Sequence, residues 1–302
     1  MTQNTPPEFS PVAGMLWMFA SSLCFVMVTA LVKYVGSDLP AMQTAFIRFA
    51  AGLVLMAPLF LKLRMREITP RLWQLSILRA VIHVGAVGLW FYSITRIPLT
   101  DVTALNYLNP IAVTLGAALF LGERLALRRG LAIVVALLGA LVILRPGFRE
   151  ISIGHLTMLG AAVSFGCSYV VAKRLSEKLP ATLVVMLMTV MVTVGLAPFA
   201  YAVWVPVNLT QLFWLSAVAV FATLGHYTMT RAFAVAPVAV TQPVTFLQLI
   251  WATLMGVLIF GEALDPVTLL GGGVIISAVS FITWREAMLK RARTRTDIQS
   301  GL

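Results

Sequence analysis

Long apolar segments separated by short polar connections run through the whole chain. Each is about 20 residues long, which is the length that an α-helix needs to cross a bilayer. Ten such segments lie at about 14–35, 41–61, 72–94, 98–121, 127–145, 154–173, 181–203, 209–230, 237–260 and 266–286. Because they are continuous, they do not fit a transmembrane β-barrel, whose strands are short and alternate in polarity. The pattern predicts an all-α integral membrane protein with ten transmembrane helices.

The second half of the chain repeats the first. Residues 14–41 align with 154–181, and the later Pro and Gly-Glu landmarks of 98–123 align with 237–262. Identities include Gly14/Gly154, Met18/Met158, Phe25/Phe165, Lys33/Lys173 and Leu39-Pro40-Ala41/Leu179-Pro180-Ala181. Each unit contains five spans, and an odd number makes the second unit enter the membrane from the opposite face. We predict two inverted repeats, 14–145 and 154–286, around a central cavity. They are flanked by a tail at 1–13 and a basic tail at 287–302.

Two spans at matching positions of the repeats have polar, proline-containing middles. Pro110 and Pro243 lack a backbone N–H, so each removes one helical hydrogen bond, and we predict hinges there. Backbone groups freed in this way persist where neighbours satisfy them or where a wet cavity lies alongside. Paired interruptions of this kind indicate a transport site at mid-membrane. The alternative is that these polar side chains only hold neighbouring helices together.

Composition agrees with a membrane protein and limits other functions. The chain is 60% hydrophobic and 11% charged, and its mean hydropathy is +0.95. Its net charge of +11 comes from Lys and Arg between the spans, so we predict no nucleic-acid partner. Most of these basic residues fall on one side, which predicts cytoplasmic amino and carboxyl termini. Cys24 and Cys167 lie inside spans, so neither a disulfide nor a metal site is expected, and we predict no cofactor.

Several charged and aromatic residues lie within the spans. Arg79, His83 and Trp90 fall within about 60° of one helical face. A cation inside a span normally faces protein or water, but Arg79 and Arg48 could instead extend their side chains to the membrane edge. The candidate binding residues are His83, Trp90, Asn106, Tyr107, Asn109, Ser164, His226, Tyr227, Gln242, Thr245, Phe246 and Gln248, with Arg48 and Arg79 as candidate anion partners. Ordinary core packing is the alternative for the histidines and aromatic residues.

The acidic residues fall in loops or at helix ends. Glu123 and Glu262 each follow a glycine that closes a span, so we expect a helix terminus with a solvated carboxylate. Without a carboxylate at mid-span, the pattern favours facilitated export, or weak proton coupling through histidine. Amides, hydroxyls, aromatic rings and a cation suit a zwitterion or weak anion with an apolar body, and amino acids fit this description.

The five-plus-five design, the lysine before each Leu-Pro-Ala and the two closing Gly-Glu pairs resemble the drug/metabolite transporter superfamily. The resemblance covers roughly residues 14–286 and is strongest to its ten-helix EamA-type exporters. It implies export of small metabolites across the bacterial inner membrane. Among these proteins, the chain is most similar to aromatic amino acid exporters.

Other functions stay open on sequence alone. An intramembrane hydrolase would need a nucleophile beside a histidine, and Ser164 with His83 or His226 is the candidate pair. Nucleosides or sugars are alternative substrates, and a scaffold without flux is a third possibility. Small-residue stripes allow close helix packing, either within one chain or between two copies, so monomer and homodimer both remain open. They comprise Gly271, Gly272, Gly273 and Ser277 in span ten, and Ala132, Ala136 and Ala140 in span five.

Overall fold

A computed structural model describes residues 10–35, 38–60, 68–109, 111–112, 127–148, 150–176, 178–236, 241 and 244–299. Within these ranges the chain forms ten helices and no β-strand. The helices are α1 Pro11–Val35, α2 Ala41–Phe60, α3 Pro70–Ile94, α4 Leu99–Asn106, α5 Leu127–Leu144, α6 Ile153–Ser176, α7 Ala181–Ala202, α8 Leu209–Val235, α9 Leu247–Phe260 and α10 Pro266–Gln299. The all-α, ten-helix prediction is confirmed.

Length and surface both suit a bilayer. Six helices, namely α1, α2, α3, α6, α7 and α8, are long and apolar enough to cross it, and α5, α9 and α10 contain shorter apolar stretches. Val54, Val81 and Val194 each expose about two-thirds or more of their surface on the outside of the bundle. In water such side chains would be unfavourably placed, whereas lipid tails accept them.

Helix bounds agree with the predicted spans to within a few residues, with three exceptions. Helix α4 ends at Asn106, inside the predicted span 98–121. Helix α9 begins at Leu247, ten residues into the predicted span 237–260. Helix α10 does not stop at 286 but continues to Gln299, so much of the predicted basic tail is helical.

Helix pairs that pack together in the bundle have repeat equivalents that also pack together. Helix α1 packs on α8, and their repeat equivalents α6 and α3 pack on each other. Contacts of α2 with α8 and of α1 with α9 likewise recur as α7 with α3 and α6 with α4. The pairs α2–α7, α4–α9 and α5–α10 each join a helix to its own equivalent. The bundle therefore has pseudo-twofold symmetry, and with five spans in each half its axis lies in the membrane plane.

Repeated glycines make the same contact twice. A Cβ on Gly14 would lie 2.3 Å from the Ala236 Cβ, and one on Gly154 would lie 2.9 Å from the Ile97 side chain. Ala236 and Ile97 occupy equivalent positions just beyond α8 and α3. The identity of Gly14 and Gly154 thus reflects two symmetric places where a helix start meets the end of its partner.

Helices α5 and α10 approach each other closely through small residues. A Cβ on Gly271 would lie 2.7 Å from the carbonyl oxygen of Gly139, and one on Gly139 would lie 2.9 Å from the Gly271 carbonyl. Ala136 and Ala140 of α5 are buried. Gly271 of the span-ten stripe therefore packs against the span-five stripe within one chain, whereas Gly273 and Ser277 of the same stripe are exposed.

We predict that Gly271→Ala lowers the free energy of unfolding by about 1–3 kcal/mol, because the new methyl group would collide with rigid backbone atoms. Gly273→Ala is the matched control, since a Cβ there meets nothing within 4 Å. That variant should be neutral or stabilising, because alanine favours helix over glycine by up to about 1 kcal/mol. Thermal unfolding of both purified variants in one detergent tests the prediction, and equal midpoints would contradict it.

Candidate functional site

Two histidines meet in the interior of the bundle. The rings of His83 on α3 and His226 on α8 pack edge to face with their centroids 5.7 Å apart. Phe165 on α6 packs against His83 at 5.3 Å, and Phe25 on α1 packs against His226 at 5.1 Å. Phe25 and Phe165 are repeat equivalents on equivalent helices, although the two histidines that they contact are not. We call His83, His226 and the two phenylalanines the histidine cluster.

A serine hydrogen-bonds the cluster, but it is not the one expected from the sequence. The fully buried Ser168 Oγ lies 3.0 Å from His83 Nδ1, whereas Ser164 is half-buried one turn earlier and makes no side-chain hydrogen bond within the described residues. The pairing of Ser164 with a membrane histidine is therefore wrong. Sequence reasoning missed Ser168, although both serines lie on the same face of α6.

Two arginines lie beside the histidine cluster. Arg79 is 1% exposed and Arg48 is 7% exposed, so neither side chain extends to the edge of the membrane and that alternative is wrong. Arg79 Nη1 donates one long hydrogen bond of 3.4 Å to the Val184 carbonyl. The Arg48 guanidinium lies 3.8 Å from the centre of the Phe49 ring. Both arginines act electrostatically on both histidines.

These guanidinium groups form no ion pair with any acidic residue in the described part of the chain. The segments that form α1, α2, α3, α6, α7 and α8 contain no Asp or Glu at all. Arg79 Nε and His226 Nδ1 are buried and have no hydrogen-bond partner within the described ranges. A cation within a membrane span costs about 2.5–3.5 kcal/mol on insertion scales, and leaving it unpaired in protein adds a desolvation penalty. The bundle therefore holds two positive charges that it does not itself neutralise.

The two interrupted spans meet through Tyr107. Its hydroxyl donates to the carbonyls of Thr245 and Phe246, at 3.2 and 3.1 Å. These carbonyls lie just before α9 begins, and the Phe246 carbonyl also accepts a hydrogen bond from the Leu249 amide at 3.1 Å. The rings of Tyr107 and Phe246 pack edge to face at 5.3 Å, and the two residues are repeat equivalents. The pseudo-twofold axis passes between them.

Other predicted site residues lie nearby with varied partners. Asn109 Nδ2 donates to Asn106 Oδ1 at 3.1 Å, as expected for residues on one helical face. The Asn109 carbonyl closely approaches Gly166 of α6, which brings the first interruption next to Phe165. Trp90, Tyr227, Thr245 and Gln248 are half-buried. Pro110, Gln242 and Pro243 lie outside the described residues, so their predicted roles stay predictions.

One end of the bundle is joined across the two halves by an ion pair; we call it the Lys33 end. Lys33 Nζ pairs with the Glu262 carboxylate and also donates to the Ile97 carbonyl at 3.1 Å. The Leu99 amide donates to both Glu262 oxygens, at 3.2 and 3.1 Å. Gly261 does end α9 in the left-handed conformation (φ 62°), as expected. The expectation of a solvated Glu262 is wrong, because its side chain is only 12% exposed.

A second polar network lies at the same end. Asp101 is 1% exposed, and its Oδ2 lies 3.2 Å from His155 Nε2. Thr268 Oγ1 lies 3.0 Å from Asp101 Oδ1 and 2.9 Å from Asp265 Oδ2. Asp265 in turn pairs with Arg145. Asp101 does stand at a helix end, as predicted, but His155 and the network around it were missed because their partners are distant in sequence.

Asp265 stays ionised at lower pH than usual. Burial raises the pKa of its carboxyl group, but hydrogen bonds from Thr268 and the Val267 amide, together with the positive charge of Arg145, lower it by more, so the net pKa lies below its ordinary value. Across the described ranges, no group of three His, Cys, Asp or Glu side chains is arranged to hold a metal ion.

Comparison with known proteins identifies a family that matches both halves. The EamA-like transporter family matches residues 12–145 and again 152–284. The riboflavin transporter of Vibrio cholerae is 28% identical, over 94% of this chain and 97% of its own. The pseudopaline exporter of Pseudomonas aeruginosa is 29% identical over 88% of this chain and 94% of its own. The S-adenosylmethionine uptake transporter of Rickettsia prowazekii is 22% identical over 90% of this chain and 93% of its own.

A crystal structure with 18% sequence identity superposes with a TM-score of 0.65, covering 93% of this chain and 99% of its own. That likeness shows the fold. The named relatives carry different solutes, and both uptake and export occur among them.

We predict that Lys33→Met destabilises the protein by on the order of 3 kcal/mol, since it leaves the Glu262 carboxylate buried without a counter-charge. Adding Glu262→Gln removes that charge and should restore part of the loss. Lys178→Met is the control, because Lys178 is exposed and its side chain makes no contact with an acid in the described part of the chain. Thermal unfolding in detergent measures all variants. Strictly additive losses in the double variant would contradict the pairing.

Proposed function

The chain belongs to the EamA-like transporter family, and from this premise we propose a secondary transporter that exports small amphipathic metabolites, aromatic amino acids among them. It works by alternating access, in which a central site opens to one side of the membrane at a time. No cofactor takes part, and the partners are the solute and the lipid bilayer.

The proposed substrate site lies between the histidine cluster and the two interrupted spans. His83, Tyr107 and His226 form its centre, and Asn106 and Gln248 extend it along the interruptions. One observation supports this proposal: polar groups from both repeats meet around the pseudo-twofold axis where α4 ends and α9 begins, and Tyr107 contacts Phe246 there. Aromatic rings beside amides and hydroxyls suit a solute with an apolar body and a polar end.

Alternating access requires that one end of the bundle be closed while the other opens. The Lys33–Glu262 pair and the Asp101–His155 contact both join residues of the first repeat to residues of the second. We infer that these contacts hold the Lys33 end shut in this conformation. Lys173, the repeat equivalent of Lys33, is half-buried, and the repeat equivalent of Glu262, Glu123, lies outside the described residues.

The distribution of Lys and Arg assigns the two ends to compartments. Both termini lie in the cytoplasm under the positive-inside rule, and the chain resides in the bacterial inner membrane. The Lys33 end then faces outward, and an exported solute enters from the opposite, cytoplasmic end. Reporter fusions at the two termini test this orientation, and ends on different sides of the membrane would contradict it.

We predict that Asn106→Ala and Gln248→Ala each reduce flux of labelled phenylalanine from proteoliposomes by about tenfold, since each removes hydrogen bonds to the solute. The variants should retain a native elution profile in detergent. Gln74→Ala is the matched control, because Gln74 is an exposed amide on α3.

Normal flux in both site variants would remove Asn106 and Gln248 from the site. If no phenylalanine flux occurs in the native protein, a panel of nucleosides and sugars tests the other solute classes. Accumulation of a cleaved product that Ser168→Ala abolishes would instead support the hydrolase.

A further inference from the structure

Among the described residues, no acidic side chain balances the charge on the two buried arginines. Asp and Glu are absent from all six helices that enclose Arg48, Arg79 and the histidines, so no change of side-chain conformation in these helices can supply a carboxylate. The acids of the Lys33 end are engaged with Lys33, Arg145 and His155. A buried cation without a counter-ion in the protein indicates that the counter-ion comes from outside.

Both guanidinium groups keep unused donors. Arg79 uses one nitrogen for a long bond to a carbonyl, and its buried Nε–H has no acceptor. Arg48 makes a ring contact with Phe49 and no side-chain hydrogen bond within the described residues. A guanidinium presents a planar set of donors that matches the two oxygens of a carboxylate. The buried, unpartnered Nδ1 of His226 adds a further polar atom beside them.

Aromatic rings define the rest of the environment. Phe49 packs edge to face on His83 at 6.1 Å, and Phe165 is stacked on Tyr169 at 6.0 Å. Flat rings pack favourably on other flat rings, so they suit a planar, apolar body. An ammonium group placed here would meet two positive charges and no acid. A zwitterion would therefore be held less favourably than a simple carboxylate of the same shape.

We propose that Arg48 and Arg79 recognise a carboxylate, and that the preferred solutes are aromatic carboxylates with net negative charge rather than zwitterionic amino acids. This inference rests on the proposed function, because it places the solute at the histidine cluster. In this proposal, Arg48 and Arg79 are the residues that select solutes by their charge.

Three molecules of similar shape test the proposal: 3-phenylpropanoate, phenylalanine and 3-phenylpropanamide. Dissociation constants are measured on the purified full-length chain in detergent by tryptophan fluorescence, and each molecule also competes with labelled phenylalanine in proteoliposomes. The carboxylate should bind at least about tenfold tighter than the amide, as expected for a charge-assisted hydrogen bond, with phenylalanine between them. Equal affinities for carboxylate and amide would overturn the inference.

Variants separate recognition from folding. Arg79→Gln and Arg48→Gln should each bring the carboxylate-to-amide preference to within about twofold, whereas Arg79→Lys should keep part of it. Arg96→Gln is the control, because Arg96 is an exposed arginine that lies over Tyr92. Without ligand, Arg79→Gln should not lower the thermal midpoint, since it removes an unbalanced charge. A lowered midpoint with unchanged preference would assign Arg79 a purely structural role and overturn the inference.

The two proposals can fail separately. Phenylalanine flux with no preference for the carboxylate leaves the transporter standing and rejects charge recognition. Arginine-dependent preference for the carboxylate without flux of any of the three solutes keeps the anion site and rejects transport through it.

Discussion

The pseudo-twofold symmetry between the two repeats limits which residues can be present at each helix contact. Because α1 meets α8 as α6 meets α3, a residue that allows one contact must have an equivalent that allows the other. Gly14 and Gly154 are such a pair, and each lies where a side chain would collide with the end of the partner helix. Phe25 and Phe165 are a second pair, each placed against a histidine. Identical residues in the two halves thus occur where the same helix contact is made twice.

Buried charges are paired at one end of the bundle and unpaired in its interior. At the Lys33 end the buried Glu262 carboxylate has a partner of opposite sign from the other repeat, and Asp101 has a hydrogen-bonding partner from the other repeat, His155. Around the histidine cluster two arginines are buried with no acid in any enclosing helix. The first arrangement stabilises the bundle, whereas the second reduces its stability. Proteins commonly retain such unfavourable charges where a ligand needs them.

Much of this architecture could be predicted from the sequence, since span length and the repeat alignment depend only on local composition. The hydrogen bond between Asn106 and Asn109 could also be predicted, because both lie on the same helix. Contacts between helices could not, since they depend on rotation and vertical register. For that reason Ser168 rather than Ser164 reaches His83, and Glu262 reaches Lys33 instead of water.

Burial of the membrane arginines was equally beyond sequence reasoning. A flexible side chain can reach either the membrane edge or the interior, and only the neighbouring helices decide between them. Arg79 lies inside, where its guanidinium group donates a long hydrogen bond to the Val184 carbonyl of α7. The burial of Asp101 likewise depends on neighbouring helices. Its position in the first turn of α4 predicts a solvent-exposed carboxylate, but His155 and Thr268 lie against it in the structure.

The symmetry between the halves is broken at its own axis by one oxygen atom. Tyr107 carries a hydroxyl that caps two carbonyls of the second repeat, and Phe246, its equivalent, has none to offer in return. A hydrogen bond of this kind contributes about 1 kcal/mol, which corresponds to roughly a fivefold difference between two populations. If the two halves exchange conformations, the resulting second state lacks this bond. Without any solute gradient, the protein then populates the conformation that contains the bond more than the other.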